Sequence, residues 1–372
     1  MLLLFDDAPA PTFDAKFLAG TLPAGLTYTN SSTVRTYFGA DGLLKTAAAN
    51  GPVFEYDPVT RVLLGMRWEM EQRTNLCLWN RDLTNAAWVS TNGTTLKNQT
   101  GIDGVTNSAS SFTATAGNAT CLQSITSASA ARVTSFFLKR ITGTGTVNIT
   151  QDNGTTWTAV TLTASWQRFQ VTSTVTNPVI GIRVVTSGDS VALDYAQHES
   201  GASTASSPIP TTSAAVIRQP DVLTATSISP WYNQSEGTVV FEGIRSGLES
   251  TGGGLYCLDD GTINERMLTE YVTSGATFRV VDGGVNQALI TSTGTAANTV
   301  FRSVSAYKIN SFASCLSGGA VTIDASGTIP TITALRMGVV SFALTSPFMG
   351  YARRFQYFNT SLKNQIQGMS RV

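Results

Sequence analysis

The sequence predicts an all-β protein: two antiparallel β-sandwich domains, preceded by a hairpin-rich segment and closed by a short C-terminal helix. Three observations carry this. Apolar and polar residues alternate through most of the chain, the period of a half-buried strand. Turn signals such as Asp41-Gly42 and Asp57-Pro58 recur at short-strand spacing. One stretch, 199–216, has no strand-length apolar pattern and separates two alternating regions.

The elements follow in order. Residues 1–71 hold hairpins: "YFGADGLLKT" turns at Asp41-Gly42, and "FEYDPVTRVLLGMRWEME" turns at Asp57-Pro58 before a further strand. Isolated hairpins with so few large apolar residues lack a core. Their unpaired edges predict completion by partner chains, with this segment serving attachment and homo-oligomerisation. The next stretch, "QRTNLCLWNRDLTNAAW", begins as a strand through Leu76, Leu78 and Trp79. Asp82 then caps a short turn, and Trp88 is read as core, with a sugar-stacking platform as its alternative.

The first sandwich occupies 72–205. Within it "TWTAVTLTASWQRFQVTSTV" places Val160 and Leu162 on one face, with Phe169 and Val171 after a turn. "SVALDYAQ" places Val191, Leu193 and Tyr195 inward and Asp194 outward. Small polar residues and prolines make 206–216 a surface linker. The second sandwich, 217–372, runs from "GTVVFEGIR" to "GYARRFQYFN". The helix "TSLKNQIQGMS" follows, capped by Thr360 or Ser361, with an apolar stripe of Leu362, Ile366 and Met369 docked on the sandwich.

Composition narrows the function. Charged residues are 13% of 372, about half the usual share, and 24 basic residues balance 24 acidic ones. A net charge of zero excludes the basic surface that nucleic acid demands. Low charge with many hydroxyl and amide groups suits a surface that bonds neutral ligands, and equally one covered by other subunits. The apolar run Leu2–Phe5 has no basic residue before it and two aspartates after it, which predicts neither a signal peptide nor membrane insertion. The N-x-S/T triplets at Asn92, Asn98, Asn118, Asn148 and Asn153 are then a by-product of Asn/Thr-rich strands. Cys77, Cys121, Cys257 and Cys315 form no CxxC pair and read as buried free thiols.

Candidate chemistry is sparse. The only histidine is His198, so a multi-imidazole zinc site is excluded and any Ser-His-Asp triad has to use it. Glu69 and Glu71 share a strand face, but Arg67 and Arg73 beside them favour ion pairing over glycoside cleavage. Asp259, Asp260, Asn264 and Glu265 surround a glycine; Ca²⁺ ligation by Asp259 and Asp260 is the alternative to a tight Asp-Gly hairpin. No other cofactor is implied. For sugar binding, aromatic faces and amides are needed. The candidates are Trp157 and Asn153 at the Asn-Gly turn, and Trp231 and Tyr232 in "SPWYNQSEG"; Trp166 reads as core.

The segment "QRTNLCLWNRDLTNAAW" resembles a recurrent motif, E-x-R-T-N-L-L-x-x-S-x-D-F-T-N-A-x-W, of bacteriophage and prophage fibre, head-spike and adhesin-like virion proteins. Gln72 stands where that motif has Glu. Upstream, "LPAGLTYTNSSTVRTYFGADG" resembles the N-terminal signature of these proteins, with Tyr28-Thr29-Asn30 replacing F-T-R. "TLTASWQRFQVT" and "VALDYAQHESGAS" are similar to the last strands of a carbohydrate-binding-module-like jelly roll. "SSPIPTTSAAVIRQPDVL" matches the linker to a concanavalin-A-like (laminin-G-like) sandwich, and "VSAYKINSFASCLSGGAVTID" with "MGYARRFQYFNTSLKNQIQGMS" completes that module.

The resemblance implies a virion structural protein, a tail fibre, head spike or decoration subunit, that contributes to host-surface glycan recognition. Its expected partners are itself as a homotrimer, other virion structural proteins and bacterial surface glycans. Its expected place is the virion surface, after synthesis in the host cytoplasm. His198 occupies a position where the family has leucine, which predicts an exposed or interface side chain rather than a catalytic one. The alternatives are a glycan-binding module without a structural role, and a polysaccharide depolymerase. Concanavalin-A-like sandwiches that hydrolyse glycans often carry an E-x-D-x-x-E strand; the second half of this chain has no such run, and with the lone histidine this weighs against the depolymerase, so no enzymatic activity is expected.

Overall fold

The computed structural model describes residues 9–200, 204–246, 252–272, 275–294, 298–341 and 347–372. The run Leu2–Phe5, and with it the leader question, lies outside them. The described chain is all-β, with antiparallel sheets and one four-residue α-helix, Ile366–Met369. No helix among the described residues is long and apolar enough to cross a membrane.

Two compact units emerge: residues 1–31, 49–71 and 220–372 form the larger, and 32–48 with 72–219 the smaller. In the larger unit an eight-stranded sheet is centred on Glu236–Arg245, which pairs with Val300–Lys308 on one side and Met349–Phe358 on the other. A seven-stranded sheet is centred on Gly253–Asp259, between Ala334–Met337 and Arg266–Val272. Side chains from both sheets share one core that includes Trp68, Phe241, Tyr256, Phe301 and Phe355.

The smaller unit has two five-stranded sheets. One runs Gln167–Val175, Ala130–Thr142, Ser190–Ser200, Ala109–Ala114, Gly93–Gln99. The other runs Thr158–Val160, Val147–Thr150, Val179–Val184, Ala119–Ser124, Val89–Thr91. Phe112, Phe136, Ile149, Ile182, Leu193 and Trp88 fill the space they share, with Val160, Leu162, Phe169 and Val171 packed at its margin. The hairpin Thr36–Phe38/Leu44–Thr46 also belongs here, and Gly42 turns it at φ 69°, where glycine carries no Cβ penalty.

Several expectations are corrected by the pairing. Three strands of 1–71 already have partners within the chain. Phe13–Lys16 and Leu63–Glu69 both pair with Met349–Phe358, and Thr27–Thr29 pairs with Val222–Ala225. The chain thus covers those edges itself. Gly65 permits the close approach of Leu63–Glu69, because a Cβ there would lie 2.4 Å from the Ala352 carbonyl oxygen.

The stretch 206–216 lies at the surface only in its second half: Ser206, Ser207, Ile209 and Thr211 are buried, whereas 212–215 are exposed. Thr74-Asn75 does not enter a sandwich sheet; Arg73–Asn75 forms a separate ribbon with Val216–Arg218. The C-terminal helix is one turn long and has no side-chain cap. The N–H groups of Ser361 and Leu362 bond instead to Glu236 Oε2 (3.2 Å) and Thr238 Oγ1 (2.8 Å), while Leu362 and Ile366 dock as anticipated. All four cysteines are buried free thiols, and burial pushes Cys121 up to about 12.

Candidate functional site

A cleft of about 480 Å³ in the smaller unit is lined by Trp79, Arg81, Asp82, Lys97, Thr211 and Thr212, among others. Two buried asparagines shape it. Asn75 donates through Nδ2 to the carbonyls of Ala196 (3.1 Å) and Ile209 (2.9 Å). Its Oδ1 accepts from the N–H groups of Cys77 and His198, both at 3.0 Å. Asn80 repeats the arrangement, with Nδ2 on the Ile209 carbonyl (3.0 Å) and Oδ1 on the Thr211 N–H (3.0 Å). Gln197 Oε1 accepts from Ile209 N–H at 2.7 Å. Side-chain amides thus satisfy the backbone of 206–211 where no sheet ladder is available, and this captures the segment as the cleft's wall.

Trp79 sits at the turn between these anchors. Its N–H donates to the Thr212 carbonyl (2.8 Å), and its own carbonyl accepts from Asp82 N–H (2.9 Å) and Trp88 Nε1 (3.2 Å). Asp82 Oδ1 caps the turn through Thr84 N–H at 3.1 Å. Trp88 is 5% exposed, so its role is core, whereas Trp79 is half-buried and lines the cleft. Trp79 holds φ 47°, in the left-handed region, where a bulky side chain is an outlier.

The charges of the cleft are paired. Arg81 bonds Asp194 through Nε (2.6 Å) and Nη2 (3.0 Å), and Asp103 through Nη1 (2.8 Å). Its guanidinium also lies 4.2 Å from the Tyr195 ring centroid. Burial opposes the charge on Arg81, but Asp194 and Asp103 outweigh it and raise its pKa. Burial likewise opposes the Asp103 carboxylate, yet Arg81 and the Val105 N–H hold it below its ordinary range. Lys97 Nζ is partly exposed, 3.6 Å from Asp82 Oδ2 and 3.4 Å from the Arg81 carbonyl. Three carboxylates therefore face two cations. That balance disfavours an anionic ligand and suits a neutral, hydroxyl-bearing one.

The candidates named from sequence are dispersed. Asn153 is exposed at φ 60° in the turn after Val147–Thr150, outside the cleft. Trp157 is half-buried, under the Arg183 guanidinium (4.5 Å to the centroid) and against Gly154, and lies outside the cleft. A smaller groove of about 90 Å³ beside that turn is lined by Gln151, Asp152, Thr156 and Ser173. Trp231 and Tyr232 belong to the larger unit as packing residues: Trp231 stacks on Phe13 at 4.7 Å, and Tyr232 on Tyr307 at 6.3 Å. Trp166 is half-buried beneath Lys139 (4.6 Å to the centroid), at the margin of a small cluster with Phe137 and Tyr195.

Asp259 is fully buried and paired with Arg336 at 2.8 Å, whereas Asp260 accepts from Thr262 N–H at 2.8 Å within the turn. The two carboxylates are committed separately. Among the described residues no group of three or more His, Cys, Asp or Glu is arranged to hold a metal ion.

Two other readings change. Asp194, expected outward, is fully buried, covered by Arg81 and by the Ile102 N–H, which donates to its Oδ2 at 3.0 Å. His198, expected exposed, is also fully buried, and its Nδ1 lies 2.7 Å from Thr134 Oγ1. Burial and the nearby Arg132 lower its pKa to about 3, so it is neutral at pH 7. Glu69 pairs with Arg67 at 3.1 Å, as its neighbours in sequence imply, and Glu55 pairs with the same arginine.

Sequence reasoning missed Trp79 as a site residue, because it directly follows the alternating Leu76 and Leu78 and reads with them as one strand. The Asn-Arg-Asp triplet directly after it was the available signal.

No family model matches the chain, and no curated protein matches it. Among solved structures, it is similar to the sialidase CBM40 of Ruminococcus gnavus bound to alpha2,3 sialyllactose. That likeness has 12% identity, covers 37% of this chain and 84% of the other, and has a TM-score of 0.33. The receptor-binding domain of botulinum neurotoxin type G matches at 8% identity over 40% of this chain and 39% of that one, with a TM-score of 0.33. The heptameric SAP-like pentraxin of Limulus polyphemus matches at 8% identity over 36% and 68%, with a TM-score of 0.28. Likenesses this weak concern the all-β fold and carry nothing about ligands.

Proposed function

We propose that the protein is a non-catalytic glycan-binding protein whose smaller unit, read as a jelly roll, takes a neutral sugar in the Trp79 cleft. The observation that carries this reading is Trp79 itself. It is a half-buried indole held at φ 47° by backbone bonds on both sides, in a cleft whose charges are already paired. An apolar ring face beside hydroxyls and carboxylate oxygens is the arrangement that sugar C–H and O–H groups require. Arg81 is locked by two carboxylates, and Asp82 lies 3.6 Å from Lys97, so each acid beside Trp79 faces a cation, which supports binding over bond cleavage.

The finer reading places the protein on a virion surface as a fibre, spike or decoration subunit, with the larger unit as a concanavalin-A-like sandwich. It rests on the sequence motifs around 72–88. Homotrimerisation is part of the same proposal, although the edges of 1–71 that argued for it are partly covered within the chain.

A glycan array probed with the full-length protein tests the reading. Neutral oligosaccharides are expected to bind, and Trp79→Ala is expected to weaken them by at least about tenfold, the loss of one stacking contact. Array binding that Trp79→Ala leaves unchanged would move the site elsewhere, and release of reducing sugar would make the protein an enzyme.

A further inference from the structure

Hydrogen-bond capacity is unevenly spent around the Trp79 cleft. Arg81 uses Nε, Nη1 and Nη2 on Asp194, Asp103 and Ser108. Ser108 Oγ donates to Asp103 Oδ1 (2.9 Å) or to the Val105 carbonyl (2.8 Å), and Thr211 Oγ1 donates to the Cys77 carbonyl (2.6 Å). These groups are committed within the protein. Two charged atoms of the lining keep capacity for a ligand.

The first is on Asp82, in the turn after Trp79. Its Oδ1 accepts from Thr84 N–H (3.1 Å) and Thr84 Oγ1 (2.6 Å), which fixes the carboxylate in place. Its Oδ2 faces Lys97 Nζ at 3.6 Å, beyond hydrogen-bond reach. Lys97 belongs to strand Gly93–Gln99, and its ammonium has three N–H groups, one of which reaches the Arg81 carbonyl at 3.4 Å. The Asp82 and Lys97 side chains are 23% and 36% exposed and both line the cleft, so a ligand there can touch both.

An ion pair this exposed contributes little, and parting it costs correspondingly little. What the pair offers is a charged acceptor and a charged donor side by side at the edge of an indole. Across 3.6 Å, one hydroxyl oxygen bonded to both atoms would have to hold them at an acute angle, which weakens each bond. Hydroxyls on two adjacent ring carbons meet the pair side by side, one donating to Oδ2 and the other accepting from Nζ. We propose that the cleft selects pyranosides with a free vicinal diol, held by Asp82 Oδ2 and Lys97 Nζ while the ring lies against Trp79. This rests on the cleft being the sugar site and adds which hydroxyls it reads. An acidic group at the diol position is repelled by Asp82 and an amino group by Lys97, so the ligand is neutral there.

Calorimetric titration of the full chain with methyl α-D-glucopyranoside, methyl α-D-galactopyranoside and methyl α-D-mannopyranoside, each beside its ring-monodeoxy forms, tests this. At least one parent sugar is expected to bind. Loss of either of two neighbouring hydroxyls is expected to weaken it about tenfold, the worth of one charge-assisted hydrogen bond. Lys97→Met and Asp82→Asn are each expected to weaken the parent by about the same factor. Asparagine retains an Oδ1 for the turn, and Lys97→Met, on an exposed position, serves if Asp82→Asn does not fold. In Lys97→Met, one of the two sensitive deoxy forms is expected to bind as well as the parent, because the contact it lacks is already gone; a role in folding alone would not produce that coupling. Trp79-dependent binding that tolerates every single deoxygenation, or a Lys97→Met variant that keeps the wild-type ratios of parent to deoxy forms, overturns the diol pair and leaves the cleft reading standing. Absence of binding by all three parents also overturns the diol pair, and the Trp79→Ala array result then decides the cleft separately. Pyranoside binding that Trp79→Ala leaves unchanged removes the cleft and the diol pair together.

Discussion

Two central strands of this protein are buried along nearly their whole length, and they differ in how much of what they bury is polar: Thr238 and Glu242 in the first, a longer run in the second. Glu236–Arg245 in the larger unit carries Val239, Val240, Phe241 and Ile244 into apolar surroundings. Ser190–Ser200 in the smaller unit buries Asp194, Gln197, His198 and Glu199 as completely as its valine and leucine. The difference lies in what each strand packs against. The first meets other side chains, around Trp68 and Phe301. The second also meets irregular backbone at 204–211, whose N–H and C=O groups need partners, and Gln197 and Glu199 provide them. Burial therefore measures proximity to other parts of the chain and says little about polarity.

The sharpest break of this contrast is Trp68→Ala. The ring is fully buried among Phe17, Phe241 and Phe348, and its loss is expected to cost about 3–5 kcal/mol in chemical denaturation. Trp68→Phe is expected to cost much less than the alanine change, since Nε1 has no hydrogen-bond partner to lose. If the two variants cost the same, the larger unit is not held by dry aromatic packing.

Next in size is Asn75→Ala. It leaves the Ala196 and Ile209 carbonyls and the Cys77 and His198 N–H groups without their side-chain partner, and a loss of about 2–3 kcal/mol is expected. Faster proteolysis within 204–216 is the accompanying sign. A loss below about 0.5 kcal/mol would show that this segment is held by something other than buried amides.

The smallest effect is read by pH. His198 has a folded pKa of about 3 against an ordinary 6.5, so between these values the unfolded chain binds a proton that the folded chain refuses. Stability is therefore fully present above about 6.5 and falls as pH drops, by about 1.4 kcal/mol per unit. Melting temperatures from pH 7 to 5 are expected to decline in the wild type and to flatten in His198→Gln. A parallel decline in both would show that other groups set the slope.

The legible parts of the structure were those decided by neighbours in sequence. Asp41-Gly42 and Asp57-Pro58 turn the chain where they stand, since turn geometry depends on a few adjacent residues. Trp88, Leu362 and Ile366 went to cores because a large apolar group loses water wherever it packs. Illegible were positions whose environment comes from far along the chain. Asp194 alternates as a solvent-facing residue, but Arg81, 113 positions earlier, takes it inward. His198 has no polar neighbour in sequence that announces Thr134 or Arg132.

Local alternation and turn chemistry by themselves determined that this chain is antiparallel β-structure, with strands in the second half and a docked C-terminal turn. Tertiary structure alone decided which chain covers the N-terminal hairpins, which aromatic lines the cleft, and which polar groups are buried. Those outcomes depend on strand pairing between residues as far apart as Phe13 and Tyr357. Period-2 alternation assigns a residue to a face of its strand, but only the sheet's neighbours determine what that face meets.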